Sequence, residues 1–241
     1  MQKQDLQVKE PLFESVGQKQ QSRRRFFATA GTAGAIAAFV ASCSKVSELL
    51  PGRQIPGGNA KSVDLGSGDV GILNYAYSLE QLEAAFYVTV IAVPYYGMKD
   101  SERELLKDVR DHEIAHREFF KKALGKYAIA DLDLDFTSID FTSRDSVLAT
   151  AKAFEDLGVS AYNGAGSLIT SPDYLTLAGK IVSVEARHAA YIRDLISYGS
   201  FADSTVLDAN GLDKSRMPSE VLPIAGKYIK TKIDASHLPT S

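Results

Sequence analysis

The chain has no tryptophan, one cysteine and four histidines in 241 residues. A single cysteine excludes an internal disulfide framework and any thiolate-rich metal site. If this protein binds metal, carboxylates and imidazoles must hold it. There is no excess of positive charge: the formal net charge is −3 and the isoelectric point is near 5.8. That argues against a nucleic-acid partner. Nor is there a long apolar run. The longest uncharged stretch of small and apolar residues, Ala28 to Ser42, is shorter than the ~20 residues that span a bilayer.

What stands around that stretch is informative. Ser22-Arg23-Arg24-Arg25-Phe26-Phe27 precedes it and Val40-Ala41-Ser42-Cys43 closes it. Positive region, apolar region and small-residue cleavage zone, in that order, are the layout of an export signal. The first segment resembles a twin-arginine export motif. The second resembles a bacterial lipobox, with Cys43 as the lipidated residue. Residues 1–43 are therefore read as a lipoprotein signal, and the mature protein as exported and held to a membrane by a lipid anchor. Residues 1–42 hold six basic and three acidic residues, so the remainder carries a formal charge of −6. Such a charge does not suit attachment to anionic lipid, and an acyl anchor takes that role. Residues 44–68, rich in glycine and proline and without periodicity, read as a flexible tether.

From Asp69 the pattern becomes helical. Ile72, Ala76, Leu79, Glu83, Phe86 and Val90 recur at helical spacing up to Pro94. Asp69 is the expected N-cap of this helix, about 69–93. Ser101 with Glu104 three residues on reads as a capping box opening a second helix, 101–124, stopped by Gly125. A third is expected from Ser143 to about Ile169. Gly158, Gly164 and Gly166 lie inside it, so either they permit close packing or the helix ends early. Ser171-Pro172 opens a fourth, to about Tyr198. Residues 126–142, where apolar residues alternate with aspartates and threonines, read as a packed crossover loop between the pairs in preference to a short strand. Seventeen residues reach about 55 Å, and a 24-residue helix is only about 36 Å long. Two helical hairpins joined by one long crossover predict an all-α four-helix bundle over 69–199. The tail, 200–241, reads as loop plus one short helix near Pro218 to Ile229.

Two segments carry Glu-x-x-His: Glu113 to His116 in the second helix and Glu185 to His188 in the fourth. At i and i+3 both side chains lie on one helix face and reach one ion together. The first and third helices supply Glu80 and Glu155, each followed seven residues later by a tyrosine, Tyr87 and Tyr162. Glu80 precedes Glu155 by 75 residues and Glu113 precedes Glu185 by 72, which points to internal duplication. Glu83 shares a face with Glu80 and competes with it as a ligand. Glu80 is preferred because Glu155 alone occupies the matching place. Tyr87 and Tyr162 are candidate hydrogen-bond donors to carboxylates across the bundle, or ordinary core residues. His112 points elsewhere on its helix and is expected to be exposed or to support a ligand from behind, and His237 lies in the tail.

In "LNYAYSLEQLEAAFY", "DHEIAHREFF" and "FEDLGVSAYNGAG" the chain resembles the ferritin-like superfamily, and in particular bacterial ferritin-like proteins labelled desiccation-related. The resemblance implies a dinuclear carboxylate centre: Glu80, Glu113 and His116 on one ion, Glu155, Glu185 and His188 on the other, with Glu113 and Glu185 bridging. Four carboxylates and two imidazoles suit two divalent ions, Fe or Mn. One function expected of such a metal site is reaction with a small oxidant, oxygen or peroxide, in iron oxidation or peroxide removal. The alternative is a non-catalytic stress-related bundle whose site is vestigial or only binds metal. A lipid anchor and a long N-terminal extension are awkward for a closed storage cage.

Overall fold

A computed structural model describes residues 62–240. The export signal, Cys43 and most of the expected tether lie outside the described residues. Five α-helices follow: α1 Gly68–Ala92, α2 Asp100–Leu124, α3 Arg144–Gly166, α4 Pro172–Ile196 and α5 Pro218–Ala225. Two short strands, β1 Val63–Asp64 and β2 Ile233–Asp234, pair in parallel. The first four helices form the expected all-α bundle. None of the described helices is long and apolar enough to cross a membrane.

Contacts at the two ends establish the topology. At one end Asp69, in the first turn of α1, accepts hydrogen bonds from the backbone N–H groups of Thr170 and Ser171 ahead of α4. At the other, Arg144 at the start of α3 donates to Glu102 near the start of α2 and to the carbonyl of Leu195 near the end of α4. The connection after α2 must therefore climb the whole bundle, and it does so along α1. Asn74 is clamped between the Tyr127 carbonyl and the Ile129 N–H, Gln81 accepts from Leu132 N–H, and Phe86 meets Phe136 and Phe141. Tyr96 N–H then bonds the Thr142 carbonyl. The crossover is packed, with one isolated bridge from Leu134 to Ile229 as its only strand-like feature.

This placement explains why α1 is buried nearly all round while α2 is buried on a single stripe. The helix α1 has α2 and α3 on its inner sides and the crossover on its outer side. The helix α3 is enclosed in the same way by α4, α1 and the tail. Arg216 N–H bonds the Ser160 carbonyl and the Arg216 guanidinium bonds Ser160 Oγ at 2.6 Å. Gly164 is what allows this approach, because a Cβ there would stand 1.9 Å from the Arg216 carbonyl oxygen. Gly158 also faces a close neighbour. Close packing and an early end both hold for α3, since the helix stops at Gly166.

Three expectations are corrected. Asp69 is not the cap of α1, whose N-cap is Ser67. Asp69 faces an unpaired turn of backbone before α4 and is drawn to it instead. Ser101 and Glu104 form no capping box: the N-cap of α2 is Lys99, and Glu104 lies exposed beside Lys107. The last tether residues are built into the fold, with Val63 set against Ile233 and Leu65 fully buried. By contrast α3 and α4 begin where expected, with Pro172 opening α4, and Ser143 and Ser171 cap them, each accepting a backbone N–H through its side chain.

Candidate metal centre

Midway along the bundle the apolar core gives way to a buried polar layer. The helix α1 contributes Glu80 and Glu83, α2 Glu113 and His116, α3 Glu155, and α4 Glu185 and His188. All five carboxylates are at most 4% exposed. His116 Nδ1 lies 2.7 Å from Glu185 Oε1, 3.6 Å from Glu80 Oε2 and 3.9 Å from Glu113 Oε2. His188 Nδ1 lies 2.8 Å from Glu113 Oε1, 3.5 Å from Glu155 Oε2 and 3.7 Å from Glu185 Oε2. The two sets are near copies, and each imidazole makes its shortest contact with the glutamate of the other hairpin.

Tyrosines cross between the hairpins in the same way. Tyr87 donates to Glu155 Oε1 at 2.5 Å, and Tyr162 donates to Glu80 Oε1. Burial, then the neighbouring carboxylates, push both phenols well above their ordinary range, so they remain donors. Each leaves the second oxygen of its glutamate free to face the centre.

The atoms facing that centre are not satisfied by one another. Glu80 Oε2, Glu155 Oε2, both oxygens of Glu113 and Glu185, and Nδ1 of both histidines are buried without an aligned hydrogen bond. Buried polar groups without partners are rare and call for an explanation. Here one ligand atom from each of Glu80, Glu113, His116 and Glu185 lies within 4.8 Å of the others, and the same holds for Glu113, Glu155, Glu185 and His188. Glu113 and Glu185 belong to both groups. Hard carboxylate oxygens with imidazole nitrogen are a donor set suited to divalent Fe or Mn.

Without metal, protons hold the charges together. Burial, then the charge of Glu185, pushes Glu113 well above the usual carboxylate range. Burial also raises Glu155 and, strongly, Glu83. Burial acts against the charge of Glu185 too, but contacts with His116 and His188 outweigh it and bring its pKa down to about 2. Adjacent carboxylates must divide in this way, and the proton belongs to the pair. On His116 burial opposes the charge, while Glu80 and Glu185 outweigh it and raise the pKa to about 11. His188 is raised for the same reason, with Glu155 the leading carboxylate.

A model of the ferritin-like domain matches residues 68–198. The chain belongs to the ferritin-like family. No curated protein matches it. The matched span runs from the first residue of α1 to just beyond the end of α4, so it contains every member of the buried cluster.

The structure of this ferritin-like chain also separates Glu83 from Glu80. Glu83 is buried in the same layer but contributes no atom to either converging group. It points at Gly158, where a Cβ would lie 3.1 Å from Glu83 Oε1. Gly158 stands 75 residues after Glu83, the interval that relates Glu80 to Glu155 and Tyr87 to Tyr162. The fifth carboxylate thus fits because its own counterpart is glycine.

The partner of His112 was missed. The spacing of Glu-x-x-His leaves it off the ligand face, and it is exposed, yet its Nδ1 lies 2.9 Å from Nε2 of His188 with the ring planes 13° from parallel. Nothing in the helical repeat of α2 alone signals this contact, because the partner sits on α4.

Proposed function

We propose that this protein is an exported, lipid-anchored member of the ferritin-like family that holds two divalent ions, Fe or Mn, and reacts with oxygen or peroxide. The observation that carries the reading is the pair of converging groups made by Glu80, Glu113, His116, Glu155, Glu185 and His188, whose inward atoms are buried without an aligned hydrogen bond. Such ions, when bound, supply redox equivalents and Lewis acidity. The chain supplies the rest. Glu113 and Glu185 are shared by both groups, and the tyrosines fix the rotamers of Glu80 and Glu155. The apolar layers on either side exclude water. Glu83 adds a fifth carboxylate to the same buried layer. Export with Cys43 as anchor is proposed from the twin-arginine-like and lipobox-like segments.

Elemental analysis of the protein purified from its native host, followed by ferrous-oxidation and peroxide-consumption assays, tests the centre. Two equivalents of Fe or Mn and activity in one assay are expected. A protein with no Fe or Mn and no affinity for either would end this reading. Membrane fractionation of a Cys43→Ser variant tests the anchor, and unchanged membrane association would remove it.

A further inference from the structure

Beyond Glu83 and Gly158, the hairpins differ at a second place beside the cluster. An interval of 72 residues relates Glu113 to Glu185 and His116 to His188, and the same interval sets His112 against Val184. His188 has a histidine at the back of its ring, and the residue that the interval pairs with that histidine in the other hairpin is the apolar Val184. His188 turns Nδ1 to the carboxylates and Nε2 to His112 Nδ1 at 2.9 Å. For Nδ1 of His188 to offer a lone pair, the ring proton must sit on Nε2. The His112 ring, with its own proton on Nε2, accepts it.

Resting on the proposed metal centre, we infer that His112 is a positioning residue that locks the tautomer and ring orientation of His188, so that it strengthens metal binding at the Glu155–Glu185–His188 position and not at its twin. A hydrogen bond to the far nitrogen of a ligating imidazole raises its basicity and removes the freedom of the ring to turn. The duplicated site is thereby two inequivalent sites, and the inequivalence comes from a residue that touches no ion.

The test is a titration of metal-stripped, full-length protein with Co(II), each binding step being measured by chelator competition and by the visible absorption of the bound ion. His112→Val is expected to weaken one of the two steps by about 10–100-fold and to leave the other unchanged. His112→Asn restores most of that loss, because the amide Oδ1 stands where Nδ1 stood and accepts the same N–H. Val184→His, which adds a partner to the other hairpin, is expected to strengthen the other step and serves equally if His112→Val does not fold. Equal weakening of both steps, no weakening, or equal losses in the Val and Asn variants would overturn the inference while leaving the metal centre standing. Wild-type protein that takes up no Co(II) would overturn both.

Discussion

The two hairpins of this bundle carry the same glutamates and histidine in the same order but are supported differently. The α1–α2 hairpin is covered by the crossover, which runs up α1 through Asn74, Gln81 and Phe86. The α3–α4 hairpin is covered by the tail, which reaches α3 at Ser160 and Gly164 and α4 at Arg193. Paired positions show the same divergence. Phe86 and Ala161, 75 residues apart, are both buried, as large and small partners. Lys121 and Arg193, 72 apart, share a place on α2 and α4. Lys121 makes an exposed pair with Asp131. Arg193 is 1% exposed and bonds Asp156, Asp203, Thr205 and the Ser200 carbonyl. A duplicated centre thus keeps its chemistry while the two flanks specialise.

Breaking the flanks in matched pairs measures that divergence. The largest effect is expected for Phe86→Ala, which opens a cavity among four aromatic rings and costs about 3–5 kcal/mol in urea unfolding. Arg193→Met strands Asp156 and Asp203 and is expected to cost about 3 kcal/mol, whereas Lys121→Met stays within about 0.5 kcal/mol. Equal losses at Arg193 and Lys121 would erase the contrast. Gly164→Ala drives a methyl group into the Arg216 carbonyl and is expected to cost about 1–3 kcal/mol, with faster proteolysis of the tail as a second readout.

A pH series on stripped protein probes the ion pair between hairpins. His116 is raised from 6.5 to about 11, so its contribution is full below pH 6.5 and is lost as pH rises through about 11. Glu185 is lowered from 4.5 to about 2, so its contribution is full above pH 4.5 and is lost as pH falls through about 2. Together these two groups give greatest stability between pH 4.5 and 6.5 in thermal melts. Metal affinity should rise through the same alkaline range, because ligation displaces the imidazole proton. The smallest effect is expected for Glu83→Gln, which should leave metal stoichiometry unchanged while Glu80→Gln lowers it. A loss of metal with Glu83→Gln would return that residue to the ligand set.

Much of this was legible in the chain. Helix spans were recovered to within a few residues because apolar spacing is long and regular. The six residues of the converging groups and the two tyrosines stood out because two hairpins repeat them in register. The caps of α1 and α2 were not legible: a side chain that caps its own helix in isolation is diverted when a distant turn needs an acceptor, as with Asp69 and Thr170. Residues 62–68 read as tether because β1 has only two residues, too few for periodicity, and its partner lies about 170 residues away.

What the sequence by itself determined is local and repetitive: four amphipathic helices, their order, and a glutamate or Glu-x-x-His on each, since helical periodicity puts those groups on one face whatever surrounds them. Tertiary structure alone decided which atoms meet. It selected Glu80 over Glu83 for the converging group by seating Glu83 over Gly158. It joined each imidazole to the opposite hairpin's glutamate, set His112 behind His188, and buried Arg193 while leaving Lys121 in water. Each of these depends on which helix packs against which. That arrangement comes from burying four stripes at once, and no single stripe encodes it.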